Sequence, residues 1–199
     1  MIINGKLVLI TGASSGIGAA TAKAMAKAGA RPVLLARRTE ALDHVVAEIT
    51  SAGGQAWTYS VDLTDADAVA AVAQEIMAEL GTPDIVINNA GAGRWLFVDE
   101  TSPEEAVQMM AVPYFAAFNV THAFLAAMLR RNSGHIVNIS SAGSRFVWPG
   151  ATRLSCCPLG GTGLHGGVAC GSEWDRYRRD AVREWRSEFI LLGAQSRES

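Results

Sequence analysis

The chain has 199 residues, 49% of them hydrophobic, and a formal net charge of −2. That length reads as one domain with enough apolar mass for a sizeable core, and the near-neutral balance gives no electrostatic case for nucleic acid or an anionic membrane as partner. No run reaches bilayer-spanning length without a charge or a turn residue, and Met1-Ile2-Ile3-Asn4 leads directly into the first apolar run with no room for a signal peptide, so the expected location is the cytoplasm.

Strand and helix patterns alternate along the chain. Lys6-Leu7-Val8-Leu9-Ile10 predicts a buried strand, followed by the glycine turn Thr11-Gly12-Ala13-Ser14-Ser15-Gly16-Ile17-Gly18 and an alanine-rich helix over Ala19 to Gly29. Val33 to Ala36 is a second strand. Glu40 to Ala52 has helical periodicity and stops at Gly53-Gly54. Ala56 to Val61 is a third strand, Ala66 to Leu80 an amphipathic helix ending at Gly81, and Asp84 to Ile87 a fourth strand. Ser102-Pro103-Glu104-Glu105 has the form of a helix start: a capping hydroxyl, proline at the first helical position, acids in the first turn. That helix runs to about Arg131 with Pro113 inside it, where proline removes a hydrogen bond and is expected to kink the axis. His135 to Ile139 is a fifth strand. This alternation predicts an α/β fold, a Rossmann-type doubly wound parallel sheet disrupted after the fifth strand.

Beyond Pro149 the texture changes. Gly160-Gly161-Thr162-Gly163 and Gly166-Gly167 arrive without periodicity, and Trp174 to Arg186 is rich in Arg and Trp. The expected organisation is a nucleotide-binding domain over 1–152 and an aberrant, poorly ordered segment over 153–199. Cys156, Cys157 and Cys170 lack metal-site spacing with any His and read as incidental, and no metal is expected.

The glycine turn is the first chemical signal. A helix N-terminus offers unpaired N–H groups and a partial positive charge, and glycines let the backbone come close to a pyrophosphate. Gly12, Ser14, Ser15, Gly16, Ile17 and Gly18 are the candidate phosphate cradle. About 20 residues further on, an acid at the end of the second strand would bind the ribose hydroxyls of NAD, whereas arginine accommodates the 2′-phosphate of NADP. Here the strand ends Ala36-Arg37-Arg38, which favours NADP with Arg37 as main contact and Arg38 as second; the plain alternative is two arginines solvating a loop.

The T-G-x-x-x-G-x-G spacing, with Asn88-Asn89-Ala90-Gly91 at the end of the fourth strand, resembles the short-chain dehydrogenase/reductase family from Lys6 to about Thr152. The resemblance implies that Asp62, with Leu63, meets the adenine amino group, although Asp62 can equally be a turn or capping residue before Thr64-Asp65. It implies that Asn89, Ala90 and Gly91 line the cofactor and that the asparagine side chains brace neighbouring strands. It further implies hydride transfer between NADP(H) and a small carbonyl or alcohol, and a homo-oligomeric assembly.

Family members work with a Ser on the reacting oxygen, a Tyr that transfers the proton, a Lys four positions later, and an Asn in the preceding helix that anchors a water relay. A nearby cation is what makes a phenol usable near neutral pH. Asn138-Ile139-Ser140-Ser141 resembles the serine segment and puts Ser141 at the serine position. The Tyr position, 13 residues on, is Leu154; the Lys position is Pro158; the relay Asn position is Pro113. Tyr114 and Tyr177 do not have the family spacing from Ser141.

A shift of reading frame just after Thr152 would account for this departure. Taking the last two bases of each codon with the first of the next, the residues from Leu154 to Ala181 permit the string YRAAHWAVRGFTAALRADLSGTGTGVTL, which resembles the family's next helix and strand and begins with the missing Tyr. Pro158 with Leu159 yields no Lys codon. Two functions therefore stand: an NADP-dependent oxidoreductase by family, or an inactive nucleotide-binding remnant of a frame-shifted or truncated gene.

Overall fold

The computed structural model describes residues 3–91 and 97–140. Five strands, β1 (Leu7–Thr11), β2 (Arg31–Ala36), β3 (Trp57–Ser60), β4 (Ile85–Asn88) and β5 (His135–Asn138), form one sheet in the order β3-β2-β1-β4-β5. Every pairing is parallel. Helices α1 (Gly16–Lys27), α2 (Thr39–Ser51) and α3 (Ala66–Glu79) make the crossovers, and α4 (Pro103–Met110) and α5 (Ala116–Arg131) connect β4 to β5. The chain winds outward from β1 to β3, then returns to place β4 on the other side of β1. This is the doubly wound fold expected from the alternation.

The apolar runs of β1 and β4 are buried at every position because helices cover both faces of a parallel sheet. Leu7, Leu9 and Val86 point to the side of α3 and α5, where they meet Ile76, Val120 and Phe124. Val8, Ile10 and Ile87 point to the side of α1 and α2, against Ala22, Leu42 and Ile49. The period of two along each strand thus feeds two separate cores.

Strand and helix limits move by one to three residues from those expected. Thr11 extends β1 because it pairs with Leu35. Pro32 enters β2, tolerated because β3 begins opposite Val33, so no β3 carbonyl waits for the missing N–H. α1 begins at Gly16, inside the glycine turn. Asp84 falls just outside β4: its carboxylate accepts from Leu7 N (3.0 Å) and Lys6 Nζ (3.2 Å) and ties the sheet together at the edge away from the strand carboxyl ends.

α4 starts as expected, with Ser102 Oγ accepting from Glu105 N at 3.1 Å. Pro113 is accommodated as a π turn over Ala111–Phe115, in which Ala116 N–H donates to the Ala111 carbonyl five residues back. Proline has no N–H to give and its ring crowds the preceding turn, so one wider turn absorbs both defects. The combined helix is long and apolar enough by length and composition to cross a bilayer, yet Val120, Phe124 and Met128 are at most 1% exposed within the domain core.

Candidate functional site

A cleft of about 470 Å³ opens at the carboxyl ends of β1 to β4, where the winding reverses. Open α/β sheets bind ligands at such a switch point. Gly12, Ser14, Ser15 and Ile17 form one wall, Arg37 and Arg38 the next, then Asp62 and Leu63, and finally Asn89, Ala90 and Gly91. Thus eleven of the thirteen residues expected at a cofactor lie on one cleft. Gly16 and Gly18 do not line it; they belong to the first turn of α1.

Gly18 has a packing role. A Cβ there would sit 2.4 Å from the Gly12 carbonyl oxygen and 2.6 Å from Asn89 Nδ2. Gly12 adopts φ 63°, and a Cβ there would lie 2.8 Å from Ala90 Cα. The two glycines let the turn close directly on the loop after β4.

Thr11 and the asparagine pair hold that closure. Thr11 Oγ1 accepts from both Asn89 N and Ala90 N at 2.9 Å. Asn89 Nδ2 donates to the Thr11 carbonyl at 2.9 Å. Asn88 Nδ2 donates to Thr121 Oγ1 (3.0 Å) and Asn138 Oδ1 (2.8 Å), joining β4 to α5 and β5. The bracing role implied for these side chains is what they do. Thr11 was legible only as the first letter of the motif; a hydroxyl ending an aliphatic strand was the available signal.

The electrostatics favour an anion. At the α1 N-terminus the Ser15 side chain caps nothing, and the first turn holds no acid. By contrast Asp65 caps α3 through Asp67 N and Ala68 N, and Ser102 caps α4. The first N–H groups of α1 thus meet neither a capping side chain nor an acid. Arg38 Nη2 lies 3.5 Å from Ser14 Oγ, at the outer limit of a hydrogen bond, and brings a guanidinium beside the glycine turn.

Asp62 realises the turn reading. Its Oδ1 accepts from Thr64 N (3.0 Å) and Thr64 Oγ1 (2.8 Å). The Thr64 backbone N–H, then the Thr64 hydroxyl, hold its carboxyl below the usual carboxylate range against a smaller upward push from burial, with the Arg37 charge adding to the lowering. The cap of α3 is Asp65, not Asp62. Val61, Thr64 and Val112 also line the cleft and had no site signal in the sequence, and Ala36 lines it at the position where an acid would bind the NAD ribose.

Among the described residues the cleft wall carries no Tyr, His, Cys or Lys. Tyr59 donates its hydroxyl to Glu79 at 2.5 Å, and burial followed by that carboxylate pushes its pKa well above the ordinary phenol value. Tyr114 packs edge-on against Phe115. Ser141, Leu154, Pro158 and the three cysteines lie outside the described residues, as does all of 153–199.

The profile of the family described as short chain dehydrogenase matches residues 6–170. A fatty acyl-CoA reductase of Acinetobacter baylyi is 43% identical over 155 residues, 77% of this chain and 52% of that protein. The chain spans about half the length of the curated relatives it matches. Among solved structures, a metagenomic short-chain oxidoreductase in complex with NADP superposes with TM-score 0.79 at 35% identity, covering 90% of this chain and 79% of the other. A gluconate 5-dehydrogenase from Burkholderia cenocepacia, in complex with NADP and tartrate, gives TM-score 0.80 at 30% identity over 87% of this chain and 68% of the other. With the parallel sheet, the glycine turn and the asparagine brace, these likenesses establish that the chain belongs to the short-chain dehydrogenase family.

Proposed function

We infer that this chain binds NADP(H) in the cleft and that the polypeptide as written does not turn over, although its family performs NAD(P)-dependent oxidation and reduction. One observation carries the reading: an uncapped, acid-free helix N-terminus and two arginines share one cleft, while the family's Tyr and Lys positions hold Leu154 and Pro158. Gly12, Ser14, Ser15 and Ile17 hold the pyrophosphate through backbone N–H groups, with Gly16 and Gly18 shaping the turn that presents them. Arg37 pairs with the 2′-phosphate, with Arg38 beside it. Asp62 and Leu63 take the adenine, and the Asn89-Ala90-Gly91 backbone lines the ribose nearer the nicotinamide. When bound, the cofactor supplies or accepts a hydride at a small carbonyl or alcohol.

What the chain adds to that chemistry is incomplete. Ser141 orients the substrate oxygen. Leu154 has no proton to give, Pro158 has neither charge nor N–H, and Pro113 offers no amide for a water relay. The remnant reading follows, with residues 153–199 as out-of-frame sequence. A gene in which no one-base edit near codon 153 opens a family-like frame overturns that part.

The cofactor reading is tested by fluorescence titration. The chain should bind NADPH at least tenfold tighter than NADH. Arg37→Ala should weaken NADPH by about 10–100-fold, the size of charge-assisted hydrogen bonds, and leave NADH nearly unchanged. Equal affinities in the starting protein would refute it.

A further inference from the structure

The turn between β3 and α3 is held mostly from within. Thr64 N and Oγ1 donate to Asp62 Oδ1, Asp65 N donates to the Asp62 carbonyl at 3.2 Å, and Val61 N donates to the Ala36 carbonyl at 3.1 Å. Among the described residues one side chain reaches it from a distant element. Asn119 of α5 donates Nδ2 to the Leu63 carbonyl at 3.1 Å and lies 3.5 Å from the Thr64 carbonyl. Leu63 itself is 6% exposed and packs in the same core as Val120 and Phe124, so α5 is a rigid support.

The Leu63 carbonyl and the Thr64 N–H belong to one planar peptide group. Its oxygen accepts from Asn119 and its N–H donates to Asp62 Oδ1. The three groups make a relay in which each hydrogen bond polarises the next. We propose that Asn119 is a positioning residue for recognition of the cofactor base: by pinning the Leu63–Thr64 peptide it aims the Asp62 carboxylate into the cleft. This rests on the reading of the cleft as an NADP(H) site. α5 also follows directly on the π turn that puts Val112 on the cleft wall, so one helix sets two parts of the site.

The test compares NADPH with its hypoxanthine analogue, which lacks the amino group an Asp62 carboxylate would accept from. The full chain prefers NADPH. Asn119→Leu removes both donors at similar volume and should narrow that preference about fivefold, the size of one net hydrogen bond. Asn119→Gln keeps the amide and should restore part of it. The NADPH-to-NADH ratio, set at Arg37, should not move in either variant. If Asn119→Leu gives no folded protein, Asn119→Ser shortens the side chain and the same ratio decides. Equal weakening of both nucleotides, or a lowered Tm with the base preference intact, overturns the proposal while leaving the cofactor reading in place. A starting protein that binds neither nucleotide overturns both.

Discussion

On one side of β1, strand β2 is buried at five of its six positions, and the loops that follow β1, β2 and β3 converge on a single cleft. On the other side, beyond β4, strand β5 has His135 exposed and Ile136, Val137 and Asn138 only half-buried. The first region is formed by residues within 7–91 together with Val112 and contains every candidate phosphate and base contact. In the proposed function the second carries the approach to the reacting oxygen, and its chemistry rests on residues after 140. A Rossmann sheet can complete its nucleotide half without completing its reaction half, because the glycine turn, the β2 end and the asparagine brace need no partner beyond β5. The proposed function therefore makes binding and turnover separable in this chain.

The largest expected effect tests that separation directly. A positioned acid/base typically contributes about 10²–10⁴-fold. The chain as written should bind NADPH yet show negligible carbonyl reduction, while a gene with one base removed just after codon 152 should yield a protein with at least partial activity. Leu154→Tyr with Pro158→Lys in the original frame should not rescue it, since on the frame-shift reading the sequence around both positions stays out of frame. NADPH oxidation on a carbonyl panel decides, and comparable rates from the original and frame-restored proteins would mean that the two regions are not separable.

What was legible in advance follows the same division. The glycine turn, the Arg37-Arg38 pair and the Ser102-Pro103 cap are local, so their chemistry is written in adjacent residues. Asn119 reaching Leu63, and Arg131 Nη2 donating to the Pro83 carbonyl at 2.7 Å, join residues about fifty apart in sequence. No periodicity announces such pairs. Pro113 signalled a defect correctly but not its form, because a kink and a π turn both answer a missing N–H, and packing of α5 on α3 and the sheet selects between them. The turn at Asp62 was readable both as a ligand contact and as local structure, and its bonds to Thr64 show the second without excluding the first.

A smaller effect sharpens the complete side. Gly18→Ala places a methyl 2.4 Å from the Gly12 carbonyl oxygen, backbone that cannot step aside without moving the turn. Overpacking of this kind costs about 1–3 kcal/mol. Because the strain falls on Gly12 and Asn89, NADPH affinity should fall along with stability. Denaturant unfolding and titration on the same variant check both, and a loss of stability with unchanged affinity would show that α1 and the cleft are not mechanically joined.

The smallest effect lies at the opposite edge of the sheet, away from the cleft, where Asp84 binds the two regions into one domain. Burial pushes its carboxyl pKa up, but the hydrogen bonds from Leu7 N and Lys6, with the Lys6 and Arg131 charges, outweigh this and hold it below the ordinary value. Arg131 Nη2 is 3.7 Å away, and the Asp84 carbonyl accepts from His135 N at 2.9 Å, so the residue touches β1, α5 and β5. A carboxyl lowered on folding stabilises the native state fully above its unfolded pKa of about 3.9, and that stabilisation is lost as pH falls through the lower folded value. Asp84→Asn keeps the shape and an acceptor for Leu7 N but removes the charge. It should cost about 1 kcal/mol near neutral pH, and the gap between the two proteins should close on acidification below about pH 4. Urea unfolding across pH measures it. A gap that persists unchanged to pH 2 would mean that the Asp84 charge contributes nothing and that shape alone joins β5 to the nucleotide half.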